Sequence, residues 1–163
     1  MTKKINTKLT KLLKYYNLIN YNLIYDNQSI NRYKKNKANI SGNKELLLKN
    51  LENSIENIKN CELKKNATDI VFADGHPDSK IMIVAEGPGA SEDEEGLPFL
   101  GRAGKLLDKM LHSINLSRDS VYITNVVNYR PPENRRPTEN EIKRYLPFLI
   151  NHIEIINPKI LIL

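Results

Sequence analysis

The chain has 163 residues, 40% hydrophobic and 27% charged, with a single cysteine and a formal net charge of +6. This is the make-up of one soluble globular domain; it argues against a wholly disordered chain, and the longest apolar runs, Ile81 to Ala85 and Ile160 to Leu163, are far too short to cross a bilayer. The charge is uneven: residues 1–65 carry 14 Lys and Arg against 5 Asp and Glu, and residues 66–163 carry 11 against 14, so a basic arm precedes a mildly acidic domain. Such an arm attracts a polyanion such as DNA, although the same Asn, Lys, Ile and Tyr bias also arises from an AT-rich coding sequence without selection for function.

At the N-terminus there are lysines but no apolar block ending in small residues, so no secretory signal is read and a cytoplasmic location is expected. Cys61, with no second cysteine to pair with, agrees with a reducing compartment. Leu9, Leu12, Leu13, Tyr16, Leu18 and Ile19 recur at near-helical spacing and predict an amphipathic helix over 7–20. Residues 26–43 are polar and aperiodic, which makes 1–43 a basic Asn/Lys-rich helix and linker and 44–163 the domain proper.

A second helix is expected over 44–60, where Leu46, Leu47, Leu48, Leu51, Ile55 and Ile58 form a broad apolar stripe. Ile70 to Phe72 suit a short strand and Ala73 to Pro77 a turn. Ile81 to Ala85 is an unbroken apolar run, the pattern of a strand buried on both faces. A helix follows over 103–114 with Leu106, Leu107, Met110, Leu111 and Ile114 on one side, then a strand over 121–124. Thr138 and Glu141 have the spacing of a capping box ahead of Ile142, Leu146, Leu149, Ile150 and Ile153, and Pro158 ends that helix before a strand begins at Ile160. Alternating strands and helices predict the α/β class, with three α/β/α layers around a central, mostly parallel sheet. An apolar strand at the end of the chain is expected to mark a domain whose C-terminal part is missing; the alternative is a short domain that this strand completes.

In open α/β sheets, ligands bind beyond the carboxyl ends of the strands, and the loops after Ala85 and Thr124 leave from that edge. Glu86-Gly87-Pro88-Gly89 sets a carboxylate in a loop of fixed shape that a ligand can approach closely; alone it is also an ordinary turn. The acidic run Glu92, Asp93, Glu94 and Glu95 reads as a solvated loop, and Phe99 lies between glycines and a proline just ahead of a helix, the usual setting of a core anchor. Asn125 at a strand end offers a donor and an acceptor, enough to read a pyrimidine edge, or forms a turn.

In order and spacing, Glu86 to Gly89, Glu92-Asp93, the run Gly96-Leu97-Pro98-Phe99-Leu100-Gly101-Arg102-Ala103-Gly104, Tyr122 to Val126, and Arg130 to Pro137 resemble the family 4 uracil-DNA glycosylases. The resemblance implies removal of uracil from DNA by cleavage of the N-glycosidic bond, on a base taken out of the stack. It implies that Phe99 stacks on the uracil, that Asn125 reads its edge and excludes cytosine, and that Glu86 and Gly87 contact uracil and sugar. It further implies that Glu92 or Asp93 orients water or offsets charge growing on the deoxyribose. Pro88 and Gly89, with Arg130, Asn134 and Arg135, are then expected to meet DNA.

Family 4 enzymes carry a 4Fe-4S iron–sulfur cluster on four cysteines; the matching positions here are Cys61, Lys64, Tyr129 and Tyr145, so the cluster is expected to be lost and its place filled by the tyrosines. The resemblance extends to cluster-free relatives, whose Cys-x-Leu-Lys start matches Cys61, Leu63 and Lys64 here. The family's C-terminal half supplies further strands and a His-containing loop, for which His76, His112 and His152 are not substitutes. Uracil excision by this chain is therefore expected to be impaired, the alternative being a noncatalytic DNA-binding fragment that a separate chain complements.

Overall fold

The computed structural model describes residues 44–163; the expected helix over 7–20 and linker over 26–43 lie outside the described residues. Eleven short elements follow one another: α1 (Lys44–Glu56), α2 (Glu62–Asn66), β1 (Ala73–Gly75), β2 (Ile81–Ala85), α3 (Ala90–Glu95), α4 (Arg102–Ser113), a 3-10 turn (Arg118–Ser120), β3 (Tyr122–Asn125), a second such turn (Pro132–Asn134), α5 (Glu139–Ile156) and β4 (Ile160–Ile162). The strands lie in the order β1-β3-β2-β4. β2 runs parallel to both β3 and β4, and only β1 is antiparallel to its neighbour β3.

The alternation of strand side chains builds the layers. Met82, Val84 and Tyr122 project to one face, where Leu48 of α1 and Leu149 and Ile156 of α5 cover them. Ile83, Val121 and Ile123 project to the other, under Leu111 of α4. Met82 and Ile123 have no exposed surface, so each contributes on the order of 2 kcal/mol through burial. A third cluster, including Leu51, Ile55, Cys61, Val127, Tyr129 and Tyr145, joins α1, the start of α2, the loop after β3 and α5. The result is the expected α/β sandwich with a mostly parallel sheet.

Several boundaries differ from the sequence reading, each for a local reason. The first apolar segment does not form the strand at Ile70 to Phe72. Val71 N–H bonds to the carbonyl of Asn128 at 2.8 Å and the Asn128 amide donates back to Val71 O at 3.1 Å, so this stretch is tied to the loop after β3. The ladder with β3 starts at Ala73, inside the expected turn, and stops at Gly75. There φ is +90° and an added Cβ would lie 2.0 Å from Val121 O, a conformation and an approach that only glycine accepts. α1 ends at Glu56 rather than at residue 60, as the last turn tightens through Ile58 N–H to Ile55 O and Asn60 adopts φ 53°. The acidic run is not a solvated loop but α3, and α2 had no anticipating signal.

The capping box forms as expected: Thr138 Oγ1 accepts from Glu141 N–H at 3.3 Å and Glu141 accepts from Thr138 N–H at 2.7 Å. At the far end Asn157, in the left-handed region at φ 52°, donates to Ile153 O just before Pro158. No helix among the described residues is long and apolar enough to cross a membrane.

His152 of α5 is sealed within this fold at 1% exposure, its ring tilted 35° against that of Phe72 with centroids 4.6 Å apart, and it shares a 3.0 Å hydrogen bond with the Tyr122 hydroxyl. Burial lowers its pKa from 6.5 to about 4. The unfolded chain therefore takes up a proton near pH 6.5 that the folded chain refuses until about pH 4, and stability falls as the pH drops through that window. The loss is expected to reach about 3 kcal/mol at the acid end. Urea unfolding of His152→Gln at pH 7 and pH 4.5 is expected to show a much smaller drop between the two than the unsubstituted chain; equal drops would assign the acid sensitivity to other groups.

Candidate active site

Two parallel strands end side by side at the carboxyl edge, with Ala85 opposite Asn125. The pairing continues past the strands: Val126 N–H donates to Ala85 O at 2.7 Å and Val127 N–H to Glu86 O at 3.3 Å. The first residues of the Gly-Pro-Gly loop are thus laid against the chain leaving β3. Gly87 permits this approach, because a Cβ there would come within 2.8 Å of the Val127 side chain and lie 3.8 Å from Pro131. Glu86 is exposed at the mouth of this loop and Pro88 is buried beneath it.

Gly89 is the N-cap of α3, and Glu92 in the first turn accepts its N–H at 3.1 Å. The other Glu92 oxygen accepts from Leu100 and Gly101 N–H groups, both at 2.8 Å. One carboxylate thereby clamps the Gly-Pro-Gly loop to the Phe99 loop. Burial pushes its pKa up, but the N–H donors of Gly101, Leu100 and Gly89 outweigh burial and hold it below the ordinary carboxylate value. Asp93 faces inward at 3% exposure, accepting from Thr68 N–H at 3.0 Å and lying 3.9 Å from the Arg130 guanidinium.

Phe99 is half-buried against the Ile83, Leu111, Val121 and Ile123 cluster, with φ +57°. A left-handed conformation costs a residue other than glycine roughly 1–2 kcal/mol, so neighbouring contacts must hold it. Two do so. Gly104 lies so close that a Cβ would sit 1.7 Å from Phe99 O. Arg118, which the sequence reading passed over, sends its guanidinium to Phe99 O at 3.0 Å and Pro98 O at 2.5 Å while anchored to Asp74 at 2.7 Å.

Asn125 closes β3 at 3% exposure, and its Nδ2 has no hydrogen-bond partner among the described residues. Only Ser79 Oγ shares that condition among the described side chains. An unpaired buried donor costs on the order of 1–3 kcal/mol, so the fold leaves the Asn125 amide with unmet hydrogen-bonding capacity at the strand end.

The remaining expected residues are engaged within the chain. Arg130 Nε donates to Asn134 Oδ1 at 2.7 Å, and Arg135 forms a two-pronged pair with Glu141 at 2.7 and 2.8 Å. That pair, with the Thr138 cap, draws the Glu141 pKa down to about 2. At the positions matching cluster ligands, Cys61 Sγ lies 3.2 Å from the Tyr145 hydroxyl, and both share a buried cluster with Tyr129. Lys64 points outward and donates to Glu56 O. The adjoining cleft, about 330 Å³, is lined by Lys64, Tyr129, Glu56 and Asp69, a set with no thiolate. Burial, with the Glu56, Cys61 and Asp69 charges, pushes the Tyr129 phenol up to about 12, which keeps it protonated.

These strand-end loops carry an unpaired buried amide and an aromatic on a left-handed backbone, in an α/β domain of the kind whose ligands bind beyond the carboxyl ends of the strands. The uracil DNA glycosylase superfamily model matches residues 72–163, and the chain belongs to that superfamily. It is 47% identical over 116 residues to a type-4 uracil-DNA glycosylase of Sulfurisphaera tokodaii, covering 71% of this chain and 53% of that protein. Type-4 uracil-DNA glycosylases of Thermotoga maritima and Pyrobaculum aerophilum are 42% and 45% identical over 73% and 69% of this chain, and 62% and 57% of their own lengths. The chain spans about half the length of the curated relatives it matches.

Gly104→Ala tests the packing around Phe99. In an open helix alanine is favoured over glycine by about 1 kcal/mol. Here the added methyl meets a backbone carbonyl, and a net loss of about 2 kcal/mol is expected from the shift in urea midpoint. A stabilised variant would show that the Phe99 loop is not held where Gly104 places it.

Proposed function

We propose that the chain binds uracil flipped out of DNA and hydrolyses its N-glycosidic bond, acting in base excision repair. The unpaired, buried Asn125 Nδ2 carries this reading. Uracil offers O4 to that donor and N3–H to the amide oxygen, whereas cytosine would set its amino group against Nδ2, leaving donors facing each other. Phe99 is the stacking surface, in keeping with its fixed backbone.

Of the three expected catalytic carboxylates, Glu86 alone lies exposed at the loop mouth; both oxygens of Glu92 hold backbone N–H groups and Asp93 is buried on Thr68 and Arg130. Glu86 is therefore assigned to orienting the attacking water and offsetting positive charge on the sugar, and Glu92 to holding the two loops in register. Gly87 brings the loop backbone to the base, and Pro88 and Gly89 carry the DNA strand past it. Arg130, Asn134 and Arg135 meet phosphates only by exchanging their present partners, which makes them contributors to affinity and not to base choice.

The reaction proceeds without the family's iron–sulfur cluster: of the four matching positions only Cys61 supplies a thiol. A second reading is favoured by β4, whose Ile160, Leu161 and Ile162 are 40–53% exposed. In it the pocket binds uracil-containing DNA, and cleavage requires further chain packed on that strand.

Release of uracil from single-stranded uracil-containing DNA separates these readings. Asn125→Ala is expected to lower the rate roughly hundredfold, the cost of about 3 kcal/mol in transition-state binding. An unchanged rate would remove Asn125 from base recognition, and uracil-selective binding without release would favour the second reading. Iron and sulfide analysis of the purified chain is expected to find no stoichiometric cluster.

A further inference from the structure

The guanidinium of Arg118 reaches four oxygens on three separate segments. Nε donates to Asp74 Oδ2 of β1 at 2.7 Å, one terminal nitrogen to Pro98 O at 2.5 Å, and the other to Phe99 O at 3.0 Å and Asp108 Oδ1 of α4 at 3.4 Å. The side chain is only 22% exposed, and Asp74 is 26% exposed, so the pair is shielded from much of the solvent screening that weakens surface ion pairs. Both captured carbonyls belong to the peptide units on either side of Phe99 Cα, the residue with φ +57°. With two carbonyls fixed by one planar fork, the dihedrals between them have little freedom, so the Cα–Cβ bond that carries the ring is aimed, and the ring itself packs against the Ile83, Leu111, Val121 and Ile123 cluster. Gly104 leaves the space in which the Phe99 carbonyl turns toward Arg118.

We infer that Arg118 is a positioning residue: its fork on Pro98 O and Phe99 O, braced by Asp74 and Asp108, sets the Phe99 ring as the flat surface that receives the base. The part concerning the base rests on the function proposed above; the part concerning the ring does not. Lysine keeps the charge near Asp74 and Asp108 but is a point donor that cannot hold two carbonyls in one plane, so the charge and the fork are separable.

The chain contains three phenylalanines, Phe72, Phe99 and Phe148, which makes 4-fluorophenylalanine labelling and fluorine NMR of the full chain a direct reading of the ring, with Phe99→Leu assigning its signal. Arg118→Lys is expected to shift and broaden the Phe99 resonance while those of Phe72 and Phe148 stay in place. An unmoved Phe99 signal overturns the inference; so does movement of all three, which would make Arg118 a general brace. If Arg118→Lys does not fold by circular dichroism, Asp74→Asn loosens the same guanidinium and must move the same resonance. Single-stranded uracil-containing DNA is then added. In the unsubstituted chain it is expected to perturb the Phe99 signal, and Arg118→Lys is expected to raise KM or the DNA Kd roughly tenfold, with no added effect in the Phe99→Leu background. If that DNA leaves the Phe99 signal of the unsubstituted chain unmoved, the stacking role proposed for Phe99 fails, while the assignment of Arg118 is decided by the first comparison alone.

Discussion

The Glu92 carboxylate is the interaction on which the candidate site depends. It accepts N–H groups from Gly89, Leu100 and Gly101, so a single side chain joins the loop after β2 to the loop before α4. Beyond Glu86 these loops bring no ladder of their own, and without a common acceptor the Gly89, Leu100 and Gly101 N–H groups would need water or a rearranged backbone. Both Glu92 oxygens are engaged in this way, so what the structure shows of this carboxylate is a brace between two loops. Its neighbour Asp93 points to the opposite side, toward Thr68 and Arg130, and fastens the same short helix to the rest of the domain.

From that clamp the site extends in two directions along covalent and hydrogen-bonded links. Toward the sheet, Ala85 and Glu86 are stitched to Val126 and Val127, and Asn125 sits at the end of the strand just before them. Toward α4, Leu100 and Gly101 follow directly on Phe99, whose own carbonyl is taken by Arg118. Each group is placed by main-chain contacts more than by side-chain packing, which is consistent with a site carried on loops and supported by a rigid sheet.

Much of the scaffold was legible in the sequence because its signals are local. The apolar run Ile81 to Ala85, the helix α4 and the Thr138 and Glu141 box each report on their own neighbourhood, and each appears where it was expected within a residue or two, although of the expected α4 stripe Leu111 is buried while Leu106, Met110 and Ile114 are exposed. What was misread depends on partners far along the chain. Ile70 to Phe72 are buried or half-buried and extended, as apolar residues suggest, but their partner is Asn128 and not a strand. Nothing in the acidic run shows which carboxylate will find three N–H groups, and a spacing of nineteen residues between Phe99 and Arg118 has no periodicity to betray it. Asn125 was identifiable by residue type and position; that its amide donor is left unpaired is visible only once the fold has closed around it.

The left-handed backbone at Phe99 has a consequence for the entropy of ligand binding. A loop aromatic normally samples several orientations, and a ligand that needs one of them must suppress the others at a cost of roughly 0.5–1.5 kcal/mol for each side chain immobilised. In this chain the backbone beneath the ring is set during folding, where Arg118 holds the Phe99 carbonyl and Gly104 leaves it room, and the ring packs against the Ile83 and Leu111 cluster. For the stacking role proposed for Phe99, the loop beneath the ring is thus ordered in advance, and that share of the ordering cost does not fall on binding.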